Sequence, residues 1–243
     1  MLKNILKGIQ AYFSAFRLLQ KLKLWKYFII PIFISLLTVT LILVFAYGFS
    51  DDIGGFIAGL WKFNSGKEFI SSASNVVGGF LVVVFGLIVY KHVVIAFSAP
   101  FMTPVSEKIE SFYTGKKPSS VSFSNSLIRA IKINLRNFVK EILYVLPLFL
   151  LSLIPVIGLF FTVLIFFVQA YYAGFGNMDY TLERHFNYND SIKFVKEHKG
   201  IALGNGIGFI LLLMIPFFGP LLVLPLSAVS ASEQTIKQIH QVS

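Results

Sequence analysis

The chain has 243 residues; 56% are hydrophobic and only 13% are charged, about half the charged share of an ordinary soluble domain. It carries a net charge of +10 and no cysteine, which excludes disulfides, thiolate metal sites and thiol nucleophiles. Long charge-free runs flanked by basic residues point to a multi-pass membrane protein, not a nucleic-acid binder, whose lysines set topology and meet anionic headgroups.

At the start, Leu2, Ile5, Leu6, Ile9, Phe13 and Phe16 recur on one side of a helix. Lys3, Lys7, Ser14, Arg17 and Lys21 fall largely on the other. The spacing predicts a basic amphipathic helix over residues 1–26, lying on the bilayer surface. A cleaved signal peptide would instead place its apolar core directly after a short basic start.

Residues 27–49 form the first uninterrupted apolar run, without a charge. At 1.5 Å per residue the run reaches roughly 35 Å, enough to cross about 30 Å of hydrocarbon with some tilt. Pro31 falls in its first turns, where a missing N–H costs little. A polar segment follows, with a short interfacial helix expected around Phe56 to Phe63, anchored by Trp61. The second span is expected over 75–98. Lys91 and His92 lie near its far end and read as snorkelling to the headgroups; a functional intramembrane pair is the alternative.

Pro100 and Pro104 are expected to bend or restart the helix as it leaves the membrane. Ser124 then caps an amphipathic helix over residues 125–141 that carries Arg129, Lys132, Arg136 and Lys140. Two broken apolar stretches follow, 142–173 and 201–231, separated by a polar segment with Arg184, Lys193, Lys196 and Lys199.

The first arms of these stretches, Leu143 to Ile154 and Ile201 to Ile215, are about 18 and 22 Å long as helices, short of a full crossing. Basic residues flank both ends of each stretch, and the positive-inside rule keeps such flanks on one side. Each stretch therefore reads as a half-penetrating helical hairpin. Its turn comprises a proline, two apolar residues and a glycine: Pro155 to Gly158 and Pro216 to Gly219. Turn backbone at membrane depth must be covered by protein or face water, so the hairpins should pack together, around a cavity or across an oligomer interface. Full crossing by two paired helices remains open for the longer arm, Ile157 to Ala173. Gly200, Gly204 and Gly208 give one helix face a smooth stripe for close packing.

Catalytic signatures are missing from the sequence. The four histidines are scattered without metal-ligand spacing, and no nucleophile, paired-carboxylate or phosphate-loop motif appears, so neither an enzyme, a metal nor a cofactor is expected. Asp179 and Glu183, four residues apart, read as structural ion-pair partners. No carboxylate lies inside the first span or either hairpin, which favours facilitated or channel-like flux over proton coupling.

Four stretches carry a family resemblance: "AFRLLQKLKLWKYFIIPI", "APFMTPVSEKIE", "NMDYTLERHF" and "HKGIALGNGIGFILLLMIPFFGPLLVLPLSAVSASE". In this order the chain resembles the CysZ-type sulfate permeases, which share a domain with the eukaryotic etoposide-induced protein. The resemblance implies two long transmembrane helices, two pairs of half-penetrating helices, a homo-oligomer, and uptake of sulfate or a related oxyanion across the bacterial inner membrane. It also implies an anion site at a Gly-Leu-Arg-Arg element before the first span, here Lys23, Leu24, Trp25 and Lys26. Arginine grips an oxyanion with a two-pronged fork that lysine lacks. The candidate anion-binding residues are Lys26, Lys23, Lys21 and Arg17, beside the positive end of the first-span helix. Pro155, Gly158, Pro216 and Gly219 are candidate path-lining turns. A membrane-organising or protein-assembly factor without transport is the alternative reading.

Overall fold

The computed structural model describes residues 2–59, 67–152, 154, 157–215 and 218–240. Pro155, Pro216 and the expected anchor Trp61 lie outside the described residues. Within them every regular element is helical.

Helix α1 covers Leu2–Lys21. A short 3-10 turn, Trp25–Phe28, runs directly into α2, Ile29–Gly59. Most apolar side chains of α2 point outward: Phe33, Leu36, Leu41 and Val44 are all exposed. Water would penalise such a surface, whereas hydrocarbon accepts it. Helices α3, Lys67–Thr114, and α5, Gly158–His185, also contain stretches apolar and long enough to cross a bilayer, making three with the Trp25–Phe49 stretch.

Helix α1 does not stand apart from the protein. Gly8, Ala11, Ala15 and Leu19 form a buried face of small and apolar residues that packs on α7, Lys199–Leu213, and α8, Gly219–His240. Leu6, Phe13 and Phe16 project away from that contact. The single apolar side expected from the sequence is therefore divided between protein and surroundings.

Four elements run further than the sequence suggests. Helix α2 continues past the expected end of the first span at residue 49, as far as Gly59. Helix α3 continues unbroken through Pro100 and Pro104, so the chain does not restart there. Neighbouring helices and Ser/Thr side chains can hold such a proline-bearing segment. Here α4, α5 and α8 pack on α3, and the Thr103 hydroxyl donates to the Ala99 carbonyl at 3.3 Å. Helix α4, Phe123–Ser152, fuses the amphipathic helix with the first hairpin arm. The side-chain cap at its start comes from Ser122, which accepts from the Asn125 N–H, and not from Ser124. Helix α5 carries the supposed connecting segment as far as His185, because its polar side chains find partners on other helices.

The chain then turns into α6, Tyr188–Glu197, capped by the Asn187 side chain, which accepts from the Asn189 and Asp190 amides, both at 3.0 Å. Helix α7 lies between α1, α5 and α8. Its glycines make that possible. A Cβ on Gly204 would lie 2.3 Å from the Ile5 carbonyl oxygen, and one on Gly206 would lie 1.6 Å from that of Ala170.

The two apolar stretches break at Gly158 and Gly219. Neither glycine adopts a positive φ; among the described glycines only Gly115 does, at 69°. Their role is close approach instead. A Cβ at Gly158 would meet the Ser152 carbonyl oxygen at 2.1 Å, and one at Gly219 the Leu212 and Leu213 carbonyl oxygens at 2.6 Å. The Gly158 and Gly219 amides donate to the Ile154 and Ile215 carbonyls, both at 2.8 Å, so the chain reverses while keeping backbone groups bonded.

Candidate functional site

The turn between α1 and α2 holds the expected cationic residues. Arg17 and Lys21 lie on the last turns of α1, Lys23 in the connection and Lys26 in the 3-10 turn; all four are exposed. Among the described residues, Lys21, Lys23 and Lys26 form no ion pair. The Lys21 ammonium sits 4.5 Å from the Phe112 ring centre, and that of Lys26 5.3 Å from the Tyr27 ring. Lys108 of α3 reaches the same Tyr27 ring at 5.2 Å. It joins the cluster only through tertiary packing, and no local pattern in the sequence marks it.

Lys23 has φ 51°, the only positive value among described non-glycine residues. An L-residue with a Cβ costs roughly 1–2 kcal/mol there, whereas glycine does not. A glycine at this position would adopt the same backbone without that cost.

The interior holds a buried polar network. Lys91, read as snorkelling, is instead buried, with its Nζ 2.5 Å from Glu141 Oε1 and 3.2 Å from the Gln169 carbonyl. His92 is buried beside it, with Nε2 2.9 Å from Glu141 Oε2. The two basic groups of α3 therefore converge on one carboxylate of α4. Glu141 lies one residue before the hairpin boundary and contributes no intramembrane acid to a reading by segments, so the sequence hides this triad.

The stretch "NMDYTLERHF" supplies most of the rest. Asn177 Nδ2 donates to Asn205 Oδ1 of α7 at 2.9 Å, and Asn205 Nδ2 donates to the Ser227 carbonyl of α8. Asp179 receives the Arg129 guanidinium of α4 at 2.9 and 3.3 Å, while the same guanidinium reaches Ser191 of α6. Glu183 accepts from the Thr103 hydroxyl at 2.5 Å. Arg184 binds Glu110 Oε2 of α3 at 2.9 Å and the Ser106 hydroxyl at 2.6 Å. Asp179 thus forms the structural ion pair expected of it, whereas Glu183 uses a hydroxyl. On α8, Glu233 takes hydrogen bonds from Ser14 of α1 and Tyr113 of α3 and pairs with Lys237.

Three of the scattered side chains also meet. Glu110 Oε1 lies 3.0 Å from His185 Nε2 and 3.2 Å from His240 Nε2, with all three candidate ligand atoms within 4.8 Å of one another. Such a set could accept a divalent cation, but Arg184 already neutralises the carboxylate and both imidazoles are within hydrogen-bonding reach of it. The arrangement accounts for itself as a clasp joining the ends of α5 and α8 to α3.

An all-helical chain with three helices able to cross a bilayer, an outward apolar surface and an ion-paired interior is an integral membrane protein. It belongs to the Sulfate transporter CysZ/Etoposide-induced protein 2.4 family, whose pattern matches residues 11–225. It is also similar to a protein named "Sulfate transporter CysZ" from Vibrio parahaemolyticus serotype O3:K6 (strain RIMD 2210633), 30% identical over 151 residues. That match covers 59% of this chain and 60% of the relative. The family description names a sulfate transporter and no enzyme activity, consistent with a sequence that has no catalytic signature.

Proposed function

We propose that the protein is a permease of the bacterial inner membrane that takes up sulfate or a related oxyanion by facilitated or channel-like flux. The observation that carries this reading is the turn before α2, where Lys21, Lys23 and Lys26 are exposed, without carboxylate partners among the described residues, and joined by Lys108. A tetrahedral dianion arriving there meets exposed ammonium groups and the positive end of α2. Arg17 extends the positive field one turn back along α1. The name of the Vibrio relative supplies the choice of ion.

In the same reading, α4–α5 and α7–α8 enter the bilayer as hairpins without crossing it. Helix α7 has 15 residues, about 22 Å, too short to span. The apolar part of α5, Gly158 to Ala173, is about 24 Å long before its buried polar half begins. Both tips present exposed apolar groups, including Leu159 and Phe160 at one and Met214 and Phe218 at the other. Lipid or a second copy of the chain covers such tips, which favours a homo-oligomer with the Gly158 and Gly219 backbone near the junction.

Radiolabelled sulfate uptake into proteoliposomes tests the function. Wild-type protein should load vesicles at a rate independent of an imposed pH gradient. Lys26→Ala should lower the rate about tenfold, by loss of one charge-assisted contact of roughly 1.5 kcal/mol. Lys23→Gly removes charge while relieving the backbone, so slower flux from a more stable protein would assign the effect to charge. Absence of uptake by properly folded wild-type protein would sink the transport reading. It would favour the membrane-organising alternative.

A further inference from the structure

A second cationic region lies far along the chain from this turn. Helices α4, α5 and α7 border an open groove of about 680 Å3. Arg136 and Lys140 of α4, Lys196 of α6 and Lys199 of α7 are arrayed on it. Four other cations are matched by carboxylates within the fold: Lys91 with Glu141, Arg129 with Asp179, Arg184 with Glu110, Lys237 with Glu233. Among the described residues the four groove cations have no carboxylate partner. Arg136 reaches only the Asn137 side-chain oxygen and the Phe175 ring. Glu197, between Lys196 and Lys199 in sequence, pairs with neither.

The groove is graded in one direction. On α4, Arg136, Lys140, Tyr144 and Leu148 recur every fourth residue, so one helical face runs from cations through a phenol to an aliphatic side chain over about 18 Å. Helix α5 follows the tight turn and packs on α4, and its groove residues repeat the gradient in reverse sequence order: Leu164, Phe167, then Tyr171. On α7, Lys199 is followed four residues later by Leu203. A free inorganic anion would use only the cationic end and leave the apolar floor empty. An amphiphile with an anionic head uses both, and tyrosines suit the boundary between them.

We propose that this groove binds an anionic phospholipid, with its phosphate on Lys140, Lys196 and Lys199 and an acyl chain along Leu148, Leu164 and Phe167. Basic pockets between membrane helices are apt for such headgroups. The site is separate from the anion turn before α2 and does not depend on the transport reading.

Native mass spectrometry of the purified protein in a neutral detergent tests it, with phosphatidylglycerol and phosphatidylcholine of identical acyl chains as probes. The expected result is one tightly retained phosphatidylglycerol and no matching retention of phosphatidylcholine. Combined Lys140→Gln, Lys196→Gln and Lys199→Gln should weaken phosphatidylglycerol retention by about tenfold or more. Among the described residues these side chains have no ion-pair or hydrogen-bond partner, so the variant's melting temperature in lipid-free detergent should match wild type. Phe167→Ala should shorten lipid retention without restoring phosphatidylcholine binding. Equal retention of the two lipids, or a triple variant that holds phosphatidylglycerol as wild type does, would overturn the proposal. So would displacement of the lipid by millimolar sodium sulfate as effective as displacement by excess phosphatidylglycerol, which would mark a free-anion site instead.

Discussion

Glu141 is the side chain whose partners matter most to the interior. It is fully buried and answers both Lys91 and His92. Removing one member of a buried pair strands the other charge, which costs about 3–5 kcal/mol, whereas replacing both members with apolar groups can be nearly neutral. Glu141→Leu should therefore sharply lower the melting temperature in detergent, and combined Lys91→Met and Glu141→Leu should recover much of the loss. If the double variant transports normally, the triad holds α3 to α4; if it is stable but no longer transports, the triad belongs to the transport path. The sequence shows each of these residues as a polar interruption near the end of an apolar run. It does not show that they meet, because the pairing spans two helices.

At the scale of elements, helix packing depends on missing side chains. Gly206 faces the Ala170 carbonyl so closely that a Cβ would overlap it, and Gly174 faces the Ala202 carbonyl in the same way. Gly206→Ala should separate α5 from α7 and cost about 1–3 kcal/mol. Gly48→Ala, on α2 with nothing within 4 Å, should leave stability unchanged or raise it by up to about 1 kcal/mol. Thermal unfolding of the two variants side by side checks the contrast. The stripe Gly200, Gly204 and Gly208 shows in the sequence as a packing face, and Gly204 and Gly208 do meet α1. Gly206 and Gly174 stand outside that four-residue spacing, and their contact is visible only once α5 and α7 are side by side.

At the scale of the whole molecule, the topology has a direct chemical test, because the chain has no native cysteine. Single substitutions Ile157→Cys and Phe218→Cys at the two tips should resist a membrane-impermeant maleimide applied to intact cells. Ser65→Cys, in the polar segment between the two expected spans, should react. Labelling of both tips from outside would mean that the helices cross, and the hairpin arrangement would be lost. The cationic stretch before α2, the two long helices and the two breaks are all legible in the sequence, since run length, charge flanks and proline–glycine spacing are local properties. The extent of α3, α4 and α5 is not, because local rules stop a helix at proline or at a polar stretch while distant partners allow it to continue.

By itself the sequence determined a basic, multi-pass helical membrane protein and its family. Hydrophobic length and flanking charge act residue by residue along the chain, whatever the packing. Only the tertiary structure decided that Lys91 and His92 turn inward, that Lys108 joins the cationic turn, and that the polar half of α5 becomes the hub of the interior. Each of these outcomes depends on a partner tens of residues away. A buried charge is tolerable only where that partner lies within about 3 Å of it.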